Sequence, residues 1–230
     1  MKTSLKMVVL IGIGALAATQ VSASINLIVN GDFQAGDTGF ASDYAPNAIG
    51  LAANTYSIVN NPIGPAPAQN PYADSLPYFD HTLGTADGLM MAVNGAGNSG
   101  LLVWGQTVNG LTVGQQYEFS LWLSSWDSIS PAIVDVQVDS VTQATFNAPA
   151  ATGVWVNHSF LWTATSTSAA FAAIYDNNTV AQGNDFALDD ISLTPVPEPT
   201  TVTIVIAGAL LLLSSKAGSL RMLRKTNCRA

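Results

Sequence analysis

The chain is short of cations and confines the few it has to its two ends. Of 230 residues only seven are Lys or Arg, at Lys2, Lys6, Lys216, Arg221, Arg224, Lys225 and Arg229. From Ser24 to Pro195 there is neither, yet fourteen of the fifteen acidic residues fall there, giving that body a formal charge of −14. Polyanions are bound by a basic footprint, so nucleic acid and anionic membrane surfaces are excluded as its partners. Cations, neutral polymers and basic proteins remain. Without Lys or Arg the body is expected to form no side-chain ion pair. Its stability then rests on apolar burial, hydrogen bonds and any bound metal.

Cysteine is nearly missing too. The single one, Cys228, lies in the terminal tail, so the body has no disulfide framework. The 172 residues from Ser24 to Pro195 are enough to bury a core without such staples. Also lacking are a sustained helical period, a strained GxSxG serine elbow and an HExxH zinc motif. Gly95-Ala96-Gly97-Asn98-Ser99-Gly100 has the spacing GxGxxG, but a dinucleotide loop must open a helix. Here it is followed by LLVWGQTV, which reads as a strand, so the glycines mark a turn.

What the body does contain is alternation over five to ten residues, broken by Gly, Asn, Pro and Asp. Strands are expected at Asn26–Val29, Thr55–Val59, Leu89–Val93, Leu102–Val108, Gln116–Ser125, Ile133–Val138, Val141–Phe146, Val154–Ala164, Ala170–Tyr175 and Phe186–Leu193. Their Thr, Val and aromatic content suits a pleated surface. The spacing predicts an all-β antiparallel sandwich, a jelly roll being the form that fits best. Much of Ala45–His81, with six prolines, reads as a long surface loop. In NDFALDDISL, Phe186 and Leu188 have one parity and Ile191 and Leu193 the other, so a bulge is expected at Asp189-Asp190.

Ligand chemistry is sought on the polar faces. Trp122 and Trp126, four apart, share an expected face with Glu118 and Ser120, and Asp135 and Gln137 lie opposite the apolar face of the next strand. An indole beside carboxylate and amide groups can stack on a sugar ring while the polar groups meet its hydroxyls. The opposing reading is that a loop covers the rings, because Trp is usually largely buried. Trp104, Trp155 and Trp162 read as core or rim. His158 has the parity of Val156 and Phe160 and reads as a packed sheet residue, which leaves His81, beside Asp80, as the candidate catalytic base.

The ends have their own chemistry. Residues 1–23 combine a basic start, an apolar run from Met7 and the small residues around Val21-Ser22-Ala23, the pattern of a secretory signal helix. Residues 196–230 begin VPEPTTVTIVIAGALLLL and end in basic residues. The sixteen residues from Thr200 to Ser215 reach roughly 24 Å as a helix, short of a ~30 Å hydrocarbon core. Such a transmembrane helix spans by letting Lys216 snorkel or by thinning the bilayer. Its basic end stays cytoplasmic.

Two resemblances follow from these residues. The body, through Asn26-Leu27-Ile28-Val29-Asn30-Gly31-Asp32-Phe33, Gln106-Thr107-Val108, Gly114-Gln115-Gln116-Tyr117 and Phe186-Ala187-Leu188-Asp189-Asp190-Ile191-Ser192-Leu193, resembles galactose-binding-like, carbohydrate-binding-module jelly rolls. That resemblance implies a structural calcium joining the first and last strands, with Asp32, Asp189 and Asp190 as oxygen donors. The family's usual acid after Asn-Gly-x-Phe is here Gln34, which removes one charge. The tail resembles a PEP-CTERM sorting signal. Pro197, Glu198 and Pro199 match its signature, followed by the apolar stretch and the basic residues Lys216, Arg221, Arg224 and Lys225, which are more spread out than usual. This implies a membrane-embedded sorting protease as partner, inner-membrane anchoring before processing, and the cell surface or extracellular matrix as destination, where exopolysaccharide is a candidate ligand.

The sequence therefore predicts an exported non-catalytic surface or matrix protein that binds carbohydrate. Two alternatives stay open: a secreted polysaccharide hydrolase using His81, and a structural matrix protein without a ligand. If the sorting reading holds, mass spectrometry of the mature protein finds neither residues 1–23 nor the Cys228-containing tail. An intact tail overturns it.

Overall fold

A computed structural model describes residues 25–46, 53–61, 78–127, 129–176 and 183–197. The expected signal helix (1–23), the expected transmembrane helix, Glu198, Pro199 and the basic residues Lys216, Arg221, Arg224 and Lys225 lie outside them. Among the described residues, no helix is long and apolar enough to cross a membrane.

The described residues form ten strands: β1 (Ala45–Pro46), β2 (Thr55–Val59), β3 (Met90–Asn94), β4 (Leu101–Asn109), β5 (Gln116–Ser125), β6 (Ile133–Val138), β7 (Val141–Asn147), β8 (Val156–Thr163), β9 (Ser168–Asp176) and β10 (Phe186–Pro195). They make a six-stranded sheet in the order β1-β2-β3-β10-β5-β8 and a four-stranded sheet in the order β4-β9-β6-β7. All pairings are antiparallel except that of the two-residue β1 with β2. The all-β sandwich expected from alternation is the fold observed. The GxGxxG stretch is the connection between β3 and β4.

One apolar cluster joins the two sheets. Tyr117, Phe119, Leu121 and Leu123 of β5 and Phe186, Leu188, Ile191 and Leu193 of β10 face Val134, Val136 and Val138 of β6, together with Val103 and Trp104 of β4 and Ile174 of β9. His158 also points into this layer, stacked on Phe146 with ring centroids 4.6 Å apart. Burial lowers its pKa, since an imidazolium there would lose its hydration.

The expected bulge is present: the register of β10 against β5 slips between Asp189 and Ser192. Asp190 takes a positive φ of 45°. The slip brings Ile191 and Leu193 onto the inner face that Phe186 and Leu188 occupy before it.

The expected first strand, Asn26–Val29, is not a regular strand. β3 pairs with β10 only through Phe186, Ala187 and Leu188. Beyond the bulge the N-terminal segment takes over, using a side chain as part of the ladder. Leu27 N donates to Leu193 O and Ile191 N to Gly31 O, both at 2.9 Å. Asn26 accepts from Leu193 N at 2.9 Å and donates to Ile191 O at 3.2 Å. Gly31 is required because any Cβ there would collide with the Ile191 carbonyl. Gln106 of β4 pins the same segment, accepting from Val29 N at 2.8 Å and donating to Val29 O at 2.9 Å.

Burial separates two leucines of like chemistry. Leu121 is fully buried and Leu161 is 57 % exposed. Leu121→Ala in the full chain is expected to cost about 3 kcal/mol in urea unfolding, and Leu161→Ala less than about 0.5 kcal/mol. Equal costs would show that the core is not where the fold puts it.

Candidate functional site

Residues that point away from the core on the six-stranded sheet include Glu118, Ser120 and Trp122 of β5 and Asp189, Ser192 and Thr194 of β10. Across the strands Trp122 is paired with Asp189, Ser120 with Ser192 and Glu118 with Thr194. Part of this face is open. Residues 78–89 fold back over another part of it.

That loop is shaped by a buried carboxylate. Asp80 accepts the N–H groups of Leu83 (2.7 Å) and Thr85 (3.3 Å). Gly88 lies so close that a Cβ would overlap the Asp80 carboxyl. Under the loop sits a small apolar cluster of Tyr78, Met90, Trp126 and Ala187, with Trp155 packed against it. Trp155 Nε1 donates to Phe79 O at 3.0 Å.

The next two residues of the loop dock on the bulge. Asp189 accepts four hydrogen bonds: His81 N (2.7 Å) and Thr82 N (3.1 Å) on Oδ2, Thr82 Oγ1 (3.2 Å) and Asp190 N (2.8 Å) on Oδ1. Asp190 takes Thr82 Oγ1 at 2.8 Å and meets His81 Nδ1 at 2.6 Å. The His81 ring lies flat on the Trp122 indole, centroids 3.6 Å apart and planes 17° from parallel. Among the described residues His81–Asp190 is the one pair within ion-pair distance. The expectation that the body forms none counted only Lys and Arg and left out histidine, whose imidazole here meets a carboxylate at 2.6 Å.

Asp189 is fully buried. Burial pushes its pKa up to about 7, the Asp190 charge adds to the rise, and the backbone N–H donors oppose it.

Beside the bulge is a trough of about 370 Å³. Trp122, Ser120, Ser192, Asp190, Asp32 and Asn30 line it, with Asn26 and Ile28. Asn26 and Asn30 are committed to backbone. Asn30 Nδ2 donates to Gly36 O (2.9 Å) and Thr38 O (2.8 Å), and its Oδ1 accepts from Ala35 N (2.9 Å). The Ser120 and Ser192 hydroxyls bond each other at 2.8 Å. Asp32 uses Oδ1 to accept from Gln34 N at 3.3 Å.

The sequence-predicted ligand set is thus divided. Trp122 and Glu118 share the outer face, and Trp126 lies on the same side but is shut beneath the covering loop, packed with Tyr78, Met90 and Ala187. It is fully buried, and its Nε1 donates to Val93 O (3.1 Å) and Phe186 O (2.8 Å), so it is not open to a ligand as Trp122 is. Asp135 and Gln137 belong to β6 in the other sheet, opposite in parity to its buried valines, and face away from Trp122. Asp135 accepts from Thr145 Oγ1 at 2.6 Å. Of the expected cation donors, Asp189 and Asp190 are brought together but are occupied by donors from the loop. The Trp122–His81 stack and the role of Thr82 were missed, because His81 and Asp190 are 109 residues apart.

No family model matches the chain, and no curated protein matches it. Among solved structures it is similar to a Stig cyclase, Fisc, from Fischerella sp. TAU, at 12 % identity, with a TM-score of 0.51, 77 % of this chain and 100 % of that one covered. A family 16 carbohydrate-binding module is similar at 17 % identity and TM-score 0.44, over 74 % of this chain and 99 % of the module. The CBM22-1 xylan-binding domain from Paenibacillus barcinonensis is similar at 12 % identity and TM-score 0.42, over 71 % and 90 %. At 12 % identity what is shared with the cyclase is the fold alone, and the chain's own two sheets make it an all-β sandwich domain.

The Asp189 shift gives a pH signature. Its native pKa lies above the ordinary carboxylate value, so the native state holds this proton more tightly than the unfolded chain. The group therefore favours folding fully below about pH 4, and that contribution is lost as pH rises through about 7. Urea unfolding from pH 4 to 8 should show stability falling across this window in the wild type. The slope should shrink in Asp189→Asn, and an unchanged slope would exclude Asp189 as its source.

Proposed function

We propose that the chain is an exported, non-catalytic surface or extracellular-matrix protein whose body binds a glycan in the Trp122 trough. The observation that carries this reading is the trough itself, an aromatic wall beside hydroxyl and carboxylate groups on a body without Lys or Arg. Its volume falls within the ~300–1,000 Å³ of small-molecule sites. His81 covers one face of the indole, so a sugar meets Trp122 from the trough side. The Ser120–Ser192 pair can donate or accept, and Asp32 and Asp190 accept. With no Lys or Arg nearby, neutral polysaccharide is favoured over uronic or sulfated polymers.

Delivery runs through the PEP-CTERM-type tail. Among the described residues Val196 is the last bonded to the sandwich, its N–H on Gln116 O (2.9 Å) and its carbonyl on Gln115 Nε2 (2.7 Å). Pro197 follows, exposed. Prolines carry no N–H, so neither Pro197 nor Pro199 can donate to a ladder. That arrangement suits a membrane-embedded protease acting at the inner membrane before release to exopolysaccharide.

The test is affinity electrophoresis of the full-length chain, in detergent, through neutral and anionic polysaccharides. Retardation by a neutral polymer, lowered about tenfold in Trp122→Ala but not in Leu161→Ala, is expected. No retardation by any polymer would favour a structural matrix protein. The His81–Asp190 contact favours a second reading, a hydrolase, for which polysaccharide cleavage abolished in His81→Ala is the test.

A further inference from the structure

We infer that the Gln34 side-chain amide stands in for the structural cation that the body's family resemblance implies, so that the fold is closed without calcium. Two backbone carbonyls, Asp32 O and Leu89 O, converge on Gln34 Nε2, each at 3.1 Å. Carbonyl oxygens can be satisfied only by a donor or a cation, so the amide's NH₂ end must face them. Gln34 stands where the resemblance expects an acid, and its amide brings two N–H groups and no charge.

Two of the neighbouring carboxylates are already engaged: Asp189 accepts four hydrogen bonds and Asp190 holds His81 and Thr82, while Asp32 has one oxygen on Gln34 N. Calcium takes six to eight oxygens. To gather them here it would have to expel the amide and pull these carboxylates from N–H and O–H donors. The neutral bridge instead ties the turn at Asp32–Gln34 to Leu89, at the end of the loop that carries His81. That loop is thus tied at Leu89 by Gln34 and at His81–Thr82 by Asp189, and neither tie needs a metal.

The experiment is thermal unfolding of the full-length chain in detergent, in millimolar calcium chloride and in excess EDTA, with calorimetric titration of calcium. The wild type should melt at one temperature in both and take up no calcium. Gln34→Glu should melt several degrees lower in EDTA and recover in calcium, binding it at least about tenfold more tightly than wild type. Gln34→Met, which leaves both carbonyls without a donor, should melt lower in both media. A wild type stabilised by calcium overturns the inference. So does a folded Gln34→Glu with no calcium response, and if that variant does not fold, the wild-type titration and Gln34→Met decide.

Discussion

Strand β10 lies inside the six-stranded sheet, and the slip at Asp189–Asp190 sets what it can do. Regular alternation from Phe186 and Leu188 would carry Asp190 and Ser192 to the inner face and Ile191 and Leu193 to solvent. A carboxylate in that apolar layer would cost several kcal/mol, and two large aliphatic side chains would be lost from it. Placing Asp190 at a φ of 45° avoids both losses. The same slip sets two carboxylates side by side on the outer face, where the loop at His81–Thr82 docks. It also directs Ile191 N to Gly31, so the N-terminal segment completes the edge that β3 leaves open.

A body without Lys or Arg meets its polar obligations in another way. Buried carboxylates are met by N–H and O–H donors, as at Asp80 and Asp189, and the half-buried Asp190 meets a histidine. Long-range ties between segments are made by amides: Asn26 to β10, Gln106 to the N-terminal segment, Gln34 to Leu89. An amide offers donor and acceptor together, so one side chain can close two unpaired backbone groups. The high acidity therefore governs the character of the trough without demanding countercharges in the fold.

Legibility followed locality. The β2, β5 and β6 strands match their expected bounds, and β3, β4, β7, β8, β9 and β10 differ by one or two residues at an end, because a two-residue period is written in adjacent side chains. The Asp189-Asp190 bulge was legible for the same reason. Asn26–Val29 was misread because its pairing runs through an asparagine side chain, which hydropathy does not register. Trp126 keeps the outer side expected of it but is covered by the loop at 78–89, which alternation within β5 does not register. Asp135 and Gln137 were grouped with Trp122 because alternation says which face a residue takes but not which sheet its strand joins.

The amino-acid sequence by itself determined the sandwich class, the inner faces of its strands, the place of the bulge and the uniform negative charge. These depend on residue type and on neighbours in the chain. The tertiary structure alone decided that His81 lies on Trp122, that Asp189 is shut away beneath loop N–H groups, and that Gln34 bridges two carbonyls. Each of these joins segments far apart in sequence, and their distances are set by how the sheets and the covering loop pack.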